Sequence, residues 1–289
     1  MFVITGATGN TGSIVAQTLL AAGKQVRVVV RSAAKAKTLA GHGAEVVEAD
    51  LNDEAALTRA FQGAEGVYVL SPPDVSLNDF LGERKQLSLR LARVTQAAGV
   101  KHVVFLSSIG AQHSSGTGMI GSAYAGEQAL RATGLPVTFV RAAYFMDNWA
   151  AVLHPVQADG VLPSFIAATK AIPMVASRDI GQCVAQAFLD GPRDTRIIEL
   201  SGPHEVSPRD VAAAFAKALG RKVEVAEAPL DAVVPTFKSF GMSENVAGLF
   251  REMYEGIGNG QVNYEGGKAE RLRGTTTIED VARALTEKR

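Results

Sequence analysis

The apolar run that opens the chain, Phe2-Val-Ile-Thr5, breaks into three glycines spaced three apart, Gly6, Gly9 and Gly12, and a helical pattern, Ser13–Ala22, follows at once. Strand, tight turn and helix in that order leave few folds open. Glycine lets the backbone turn sharply and leaves room for a pyrophosphate to come close. The helix start offers unpaired N–H groups and a partial positive charge to phosphate oxygens. Glycine spacing alone is a common pattern; its place after a strand and at the head of a helix is what points to a nucleotide cofactor.

Strand and helix signals alternate from there. Strands are expected at Gln25–Val30, Ala44–Glu48, Gly66–Leu70, Val103–Leu106 and Val137–Val140, and helices at Ala33–Ala40, Glu54–Phe61, Asp79–Ala98 and Ala123–Ala132. Asp53 is placed to cap the helix that follows it. Near-continuous apolar strands between helices imply an α/β chain, a Rossmann-type doubly wound parallel sheet covered on both faces. Ligands of such sheets lie beyond the C-terminal strand ends, where the strand order reverses. The segments around Gly6, Arg31, Asp50, Ser71, Ser107 and Ala142 should therefore meet at one groove. The tail is less regular. Strands are expected at Ile172–Val175, Arg196–Leu200 and Lys222–Val225, and helices at Asp179–Leu189, Pro208–Leu219, Leu230–Phe240 and Asn245–Glu255. Ser207 and Pro208 supply a cap and a first helical residue. We expect a dinucleotide-binding domain over residues 1–148, joined by returning elements near 172–201, and a smaller, partly interleaved α/β lobe over 149–289 for substrate or partner.

The second expected strand ends in Arg31-Ser-Ala-Ala-Lys35. An NAD site usually carries Asp or Glu there, bonded to the ribose 2′-OH. A carboxylate would repel a 2′-phosphate; Arg31 and Lys35 would attract one. A charge-assisted hydrogen bond contributes about 1.5–3 kcal/mol, roughly ten- to a hundredfold in affinity. NADP(H) is expected over NAD(H).

Composition narrows the classes. With 289 residues the chain can bury a large core. Its 29 basic and 29 acidic residues balance, so no global charge draws it to nucleic acid or an anionic membrane. No apolar run is long enough to span a bilayer, and no signal peptide is expected, because the N-terminus is spent on the first strand. One cysteine, Cys183, excludes an internal disulfide; in its apolar helical setting it reads as a small core residue rather than a nucleophile. His42, His102, His113, His154 and His204 stand singly, so no metal site is expected. A cytoplasmic protein, monomer or homodimer, is the expectation.

The chain resembles the NmrA-like group of atypical short-chain dehydrogenases/reductases over most of its length. The segments that carry this are Thr5-Gly-Ala-Thr-Gly-Asn-Thr-Gly12, Arg31-Ser-Ala-Ala-Lys35, Gly43-Ala-Glu-Val-Val-Glu-Ala-Asp-Leu51, Ala98-Gly-Val-Lys-His-Val-Val-Phe-Leu-Ser-Ser108, and Glu127 through Arg141 with the following Ala142-Ala-Tyr-Phe-Met-Asp-Asn148. The group includes NAD(P)H-dependent quinone, azo-dye and triphenylmethane-dye reductases as well as nucleotide-sensing regulators. The resemblance implies phosphate contacts at Gly6, Thr8, Gly9, Asn10 and Thr11, and 2′-phosphate contacts at Arg31 and Lys35. It further implies Asp50 and Leu51 at the adenine, Leu70, Ser71 and Pro72 at the ribose, and Tyr144 and Phe145 at the nicotinamide.

Catalysis is less clearly written. Typical short-chain dehydrogenases place Tyr and Lys four residues apart on one helix face, the Lys tuning the phenol as an acid. Here Tyr124 is followed by Gln128. That argues against alcohol–ketone interconversion and leaves Tyr124 and Ser108 as weak candidate proton donors. An electron-poor quinone or azo bond needs less help, since holding it against the nicotinamide supplies proximity and orientation. The loop Asp74–Phe80 and the segment Phe145–Trp149 are expected to form a slot for a flat acceptor, and Glu127 with Arg131 an ordinary surface ion pair. The leading expectation is an NADPH-dependent oxidoreductase acting on a small conjugated substrate such as a quinone. The missing Lys also suits a non-catalytic NADP(H) sensor with a protein partner. A nucleotide-sugar epimerase-like enzyme shares the architecture but lacks its Tyr–Lys pair.

Overall fold

The structure, a computed structural model, describes residues 1–267 and 269–287. Strand β1 (Phe2–Thr5) leads through the glycine turn to helix α1 (Asn10–Ala21). Then come β2 (Val26–Val30), α2 (Lys37–Gly41), β3 (Glu45–Glu48), α3 (Glu54–Phe61), β4 (Gly66–Val69) and α4 (Phe80–Ala97). After β5 (Val103–Ser108), α5 (Gly121–Arg131) and β6 (Val137–Ala142) lie the two-residue β7 (Tyr144–Phe145), α6 (Leu153–Asp159), β8 (Val161–Ser164), β9 (Ile172–Val175) and α7 (Ser177–Leu189). The chain continues as β10 (Thr195–Ser201), β11 (Glu205–Val206), α8 (Pro208–Leu219), β12 (Glu224–Glu227), α9 (Val233–Ser239), α10 (Glu244–Asn259), β13 (Glu270–Arg273) and α11 (Ile278–Glu287).

Eight strands form one parallel sheet in the order β13-β10-β6-β5-β4-β1-β2-β3. The order reverses between β1 and β4, so the glycine turn stands at the switch point, where such sheets bind ligands. Side chains alternate between the two faces. Val3, Val67, Val69, Phe105 and Phe139 join the core under α3, α4 and α5. Ile4, Val28, Tyr68, Val104 and Val140 join the core shared with α1 and α7. Each such side chain contributes about 1.5–3 kcal/mol by leaving water. Two-sided burial is why these strands read as unbroken apolar runs.

Of the elements near 172–201, β10 pairs with β6 in the main sheet and α7 packs on α1. Strand β9 does not return: it pairs with β7 and β11 in a separate three-stranded sheet. Strands β8 and β12 form a third, two-stranded sheet. The expected helix at Ala33–Ala40 is a 3-10 turn over Ala33–Ala36 followed by the short α2. Strands β7, β8, β11 and β13 and helices α6 and α11 escaped the sequence reading; β13 is a charged edge strand, Glu-Arg-Leu-Arg, with no apolar run to mark it. The caps hold: Asp53 accepts from the Ala56 amide at 2.9 Å, and Ser207 forms a capping box with Asp210. A further core, with Met146, Trp149, Phe215 and Ile257, fills the region beside α8, α10 and α11. Among the described residues no helix is long and apolar enough to cross a membrane.

Candidate active site

The nucleotide end is built by backbone. Gly6 takes φ +62°, and a β-carbon there would stand 2.9 Å from Leu70 Cδ2. The Gly9 amide donates to the Gly6 carbonyl at 2.9 Å, closing the turn. At Gly12 a β-carbon would lie 2.4 Å from the Gly6 carbonyl oxygen, so only glycine lets α1 start this close to β1. Helix α1 has no side-chain cap and no acidic residue in its first turn. Its leading amides, at Asn10, Thr11 and Gly12, therefore keep their hydrogens for an anion.

Around this turn the expected residues take distinct places. Thr8 and Asn10 are exposed at its rim. Thr11 is buried and its hydroxyl pairs with Tyr68 Oη at 2.9 Å, so what it offers the groove is its amide. Arg31, at the end of β2, and Lys35, on the 3-10 turn, are exposed and make no ion pair among the described residues. The Glu48 carboxylate, at the end of β3, accepts from the Ala33 amide between them. Asp50 is exposed and accepts from the Asn52 amide at 2.7 Å. Leu51 and Leu70 are half-buried against the two sheet cores. Pro72 is fixed by Arg84, which donates to its carbonyl at 2.9 Å. Ser71 Oγ is buried with no hydrogen-bond partner. Such a group costs free energy unless something pairs with it, and a sugar hydroxyl would.

Beyond the ends of β5 and β6 lies a cavity of about 150 Å³. Ser108, Tyr144, Phe145 and Asn148 form one side, Ile172 and Pro173 of β9 a second, and Phe250, Met253 and Ile257 of α10 a third. Ser108 Oγ donates to the Ile109 carbonyl at 3.0 Å. Burial pushes the Tyr144 phenol up, with Tyr254 and Asn148 close enough to offset part of that. Burial also carries Tyr254 well above the usual phenol range, reinforced by Tyr144. Both phenols stay protonated at neutral pH and present hydrogen-bonding dipoles rather than charge.

Of the two proton-donor candidates, Ser108 is at the cavity and Tyr124, half-buried on α5, is outside its lining. Of the two segments expected to form the slot, Phe145 and Asn148 do line it, while Trp149 packs into the core beside Tyr144 at 6.2 Å between rings. The Asp74–Phe80 loop is not part of it. Its carbonyls and the Phe80 amide are bound by Ser243 and Asn245 at the head of α10, which anchors the loop there. Phe250, Met253, Ile257, Ile172 and Val262 were missed. The three on α10 share one helical face by spacing, which signals burial but not against what.

The expected Glu127–Arg131 pair forms, but it is not an ordinary surface pair. Glu127 is 1 % exposed and takes Arg141 Nε at 2.7 Å, Arg141 Nη2 at 2.8 Å and Ser107 Oγ at 2.6 Å, with Arg131 at 3.3 Å as a fourth contact. Arg141 faces α5 because it continues the inward alternation of Val137 and Phe139. Burial opposes its charge, but Glu127 and Glu265 outweigh that and hold it firmly protonated. Glu199, fully buried on β10, accepts from the Glu265 amide. Together these groups fix the stretch that carries Val262 to the cavity. Cys183 is half-buried and burial pushes its thiol up to about 12, which suits packing and not nucleophilic attack. No metal-holding cluster exists among the described residues.

The sequence pattern of the NmrA-like family matches residues 1–282. The chain belongs to the NmrA-like family. This NmrA-like chain is 29% identical over 258 residues to the NAD(P)H azoreductase of Xenophilus azovorans, covering 88% of the chain and 86% of that protein. It is 28% identical over 282 residues to quinone oxidoreductase 2 of Escherichia coli (strain K12), covering 96% of each. The crystal structure of the Escherichia coli NADPH-dependent quinone oxidoreductase complexed with NADPH superposes with a TM-score of 0.84 at 26% identity, over 99% of this chain and all of that one (100%).

Proposed function

We propose that this NmrA-like protein is an NADPH-dependent oxidoreductase that reduces quinones or similar conjugated acceptors. The observation that carries the reading is a shared sheet edge: an apolar cavity with hydroxyl and amide groups on one wall lies past the C-terminal ends of β5 and β6, and the phosphate-ready glycine turn lies past that of β1, at the switch point. A blocked space there would have favoured a sensor. The relatives' names, quinone, azo-dye and NADPH-dependent, support the same choice. A reducing cytoplasm suits it.

The residues divide the work. The amides of Asn10, Thr11 and Gly12 and the turn at Gly6–Gly9 would hold the diphosphate, and Thr8 its rim. Arg31 and Lys35 would take the 2′-phosphate. Asp50 and Leu51 would border the adenine, and Leu70, Ser71 and Pro72 the ribose, with Ser71 Oγ gaining a partner. Tyr144 and Phe145 would flank the nicotinamide. NADPH, when bound, supplies a hydride. The cavity walls exclude water and orient the acceptor, a proximity effect that does not need a tuned acid. Tyr144, kept neutral, would hydrogen-bond a carbonyl oxygen as negative charge develops on it. Solvent or Ser108 would deliver the proton. Loss of NADPH absorbance with a panel of quinones and azo dyes tests this. Turnover well above the uncatalysed rate is expected; none across the panel would overturn the reading.

A further inference from the structure

Resting on that reading of the cavity as the acceptor's place, we propose that the protein selects acceptors by size, taking single-ring quinones and rejecting fused-ring quinones and multi-aryl dyes, with Phe250 and Met253 as the sizing side chains. The cavity holds about 150 Å³, and apolar protein cavities of about 150 Å³ accommodate one benzene ring. A fused second ring would have to project through the mouth of the cavity or displace the wall made by α10.

That wall is held by close contacts of both backbone and side chains. Gly118 adopts φ +55° and sits so close to the helix that a β-carbon there would be 1.9 Å from the Leu249 carbonyl oxygen and 2.7 Å from the Met253 nitrogen. Two turns along α10, a β-carbon on Gly256 would stand 2.7 Å from the Gly116 carbonyl oxygen. Gln261 Nε2 donates to the Ser115 carbonyl at 2.9 Å and the Gly110 amide to the Asn263 carbonyl at 3.1 Å, tying the segment with Val262 to the same loop. The Phe250 ring, which lines the cavity, is backed edge-on by Phe237 at 4.8 Å, and Phe165 packs against Phe237 and Tyr254 at 5.7 and 5.5 Å. Packing at this density yields little to an oversized guest. The opposite wall, β7 and β9, is a hydrogen-bonded sheet.

The test measures kcat/KM of the full chain with NADPH and para-benzoquinone, menadione or phenanthrenequinone, the uncatalysed reaction subtracted. The proposal expects benzoquinone to exceed phenanthrenequinone at least tenfold. Phe250→Ala should raise the phenanthrenequinone value at least tenfold and leave the KM for NADPH within twofold; Met253→Ala, on the same wall, serves if the first variant does not fold. Equal values for one and three rings would overturn the proposal, as would variants that change the KM for NADPH without changing selectivity, since the cavity would then be the nicotinamide's. If no acceptor turns over, calorimetry on the NADP⁺ complex decides. Hydroquinone binding at least tenfold tighter than phenanthrenequinone would sustain size selection while ending the reductase reading, and equal or absent binding would end both.

Discussion

Gly12 and Gly118 both stand where a β-carbon would strike another backbone, 2.4 Å from the Gly6 carbonyl oxygen in one case and 1.9 Å from that of Leu249 in the other. At Gly12 the close approach points an uncapped helix at open groove, and the freed amides face outward. At Gly118 it presses a loop against α10 and fills the space, leaving a small cavity behind. The nucleotide end is thus polar, exposed and made of main chain. The proposed acceptor end is an apolar cavity with a mouth, made of side chains from segments far apart in sequence. The same residue type opens one site and narrows the other, because what matters is which backbone it lets in and what lies beyond.

If the two regions are separable, damage to one should spare the other. Glu127→Ala leaves Arg141 buried without its bidentate partner, a change that costs about 3–5 kcal/mol. Urea unfolding should show that loss. Where the variant still folds, the KM for the acceptor should rise while the Kd for NADPH stays within about twofold, because the network holds Glu265 and, through it, the stretch bearing Val262. Gly12→Val should do the reverse. It should weaken NADPH binding by about a hundredfold or more, near 3 kcal/mol, read by fluorescence titration; unchanged binding would remove the turn from the account.

His102 tests what the regions share. It is buried at the far end of the sheet, with Nε2 2.9 Å from Thr138 Oγ1. Burial, helped by the nearby charge of Arg196, lowers its pKa to about 4. In the unfolded chain histidine titrates near 6.5. The neutral imidazole therefore contributes stability that is complete above about pH 6.5 and is lost as pH falls toward 4, about 2 kcal/mol between pH 7 and pH 5. Denaturant melts at those two values should show the loss, smaller in His102→Asn. A pH-independent difference between the two proteins would mean that the imidazole is not held neutral.

The contrast also explains what was legible in the sequence. The nucleotide turn is written in twelve consecutive residues, and its grammar, apolar strand, three glycines, helix, is local. Arg31 and Lys35 lie within five residues of one strand end. The cavity has no such text. Tyr144, Ile172, Phe250 and Val262 meet only because β7 pairs with β9 and because glycines admit α10 to the loop after β5. Glu127 shows the limit most plainly. Its fourth neighbour along the helix is Arg131, and local spacing favours that pair; its principal partner is fourteen residues on, across the helix–sheet layer. The alternation Val137, Phe139, Arg141 was the available clue that this arginine points inward.

On the proposed reading, a cationic nucleotide end presents the hydride donor to an apolar acceptor site. The most direct test of that reading is the ratio of kcat/KM for NADPH over NADH with para-benzoquinone, in the wild type and in Arg31→Ala. We predict a ratio of about ten to a hundred in the wild type, collapsing toward one in the variant through a higher KM for NADPH and no change for NADH. A ratio left intact by the substitution, or near one from the start, would contradict it.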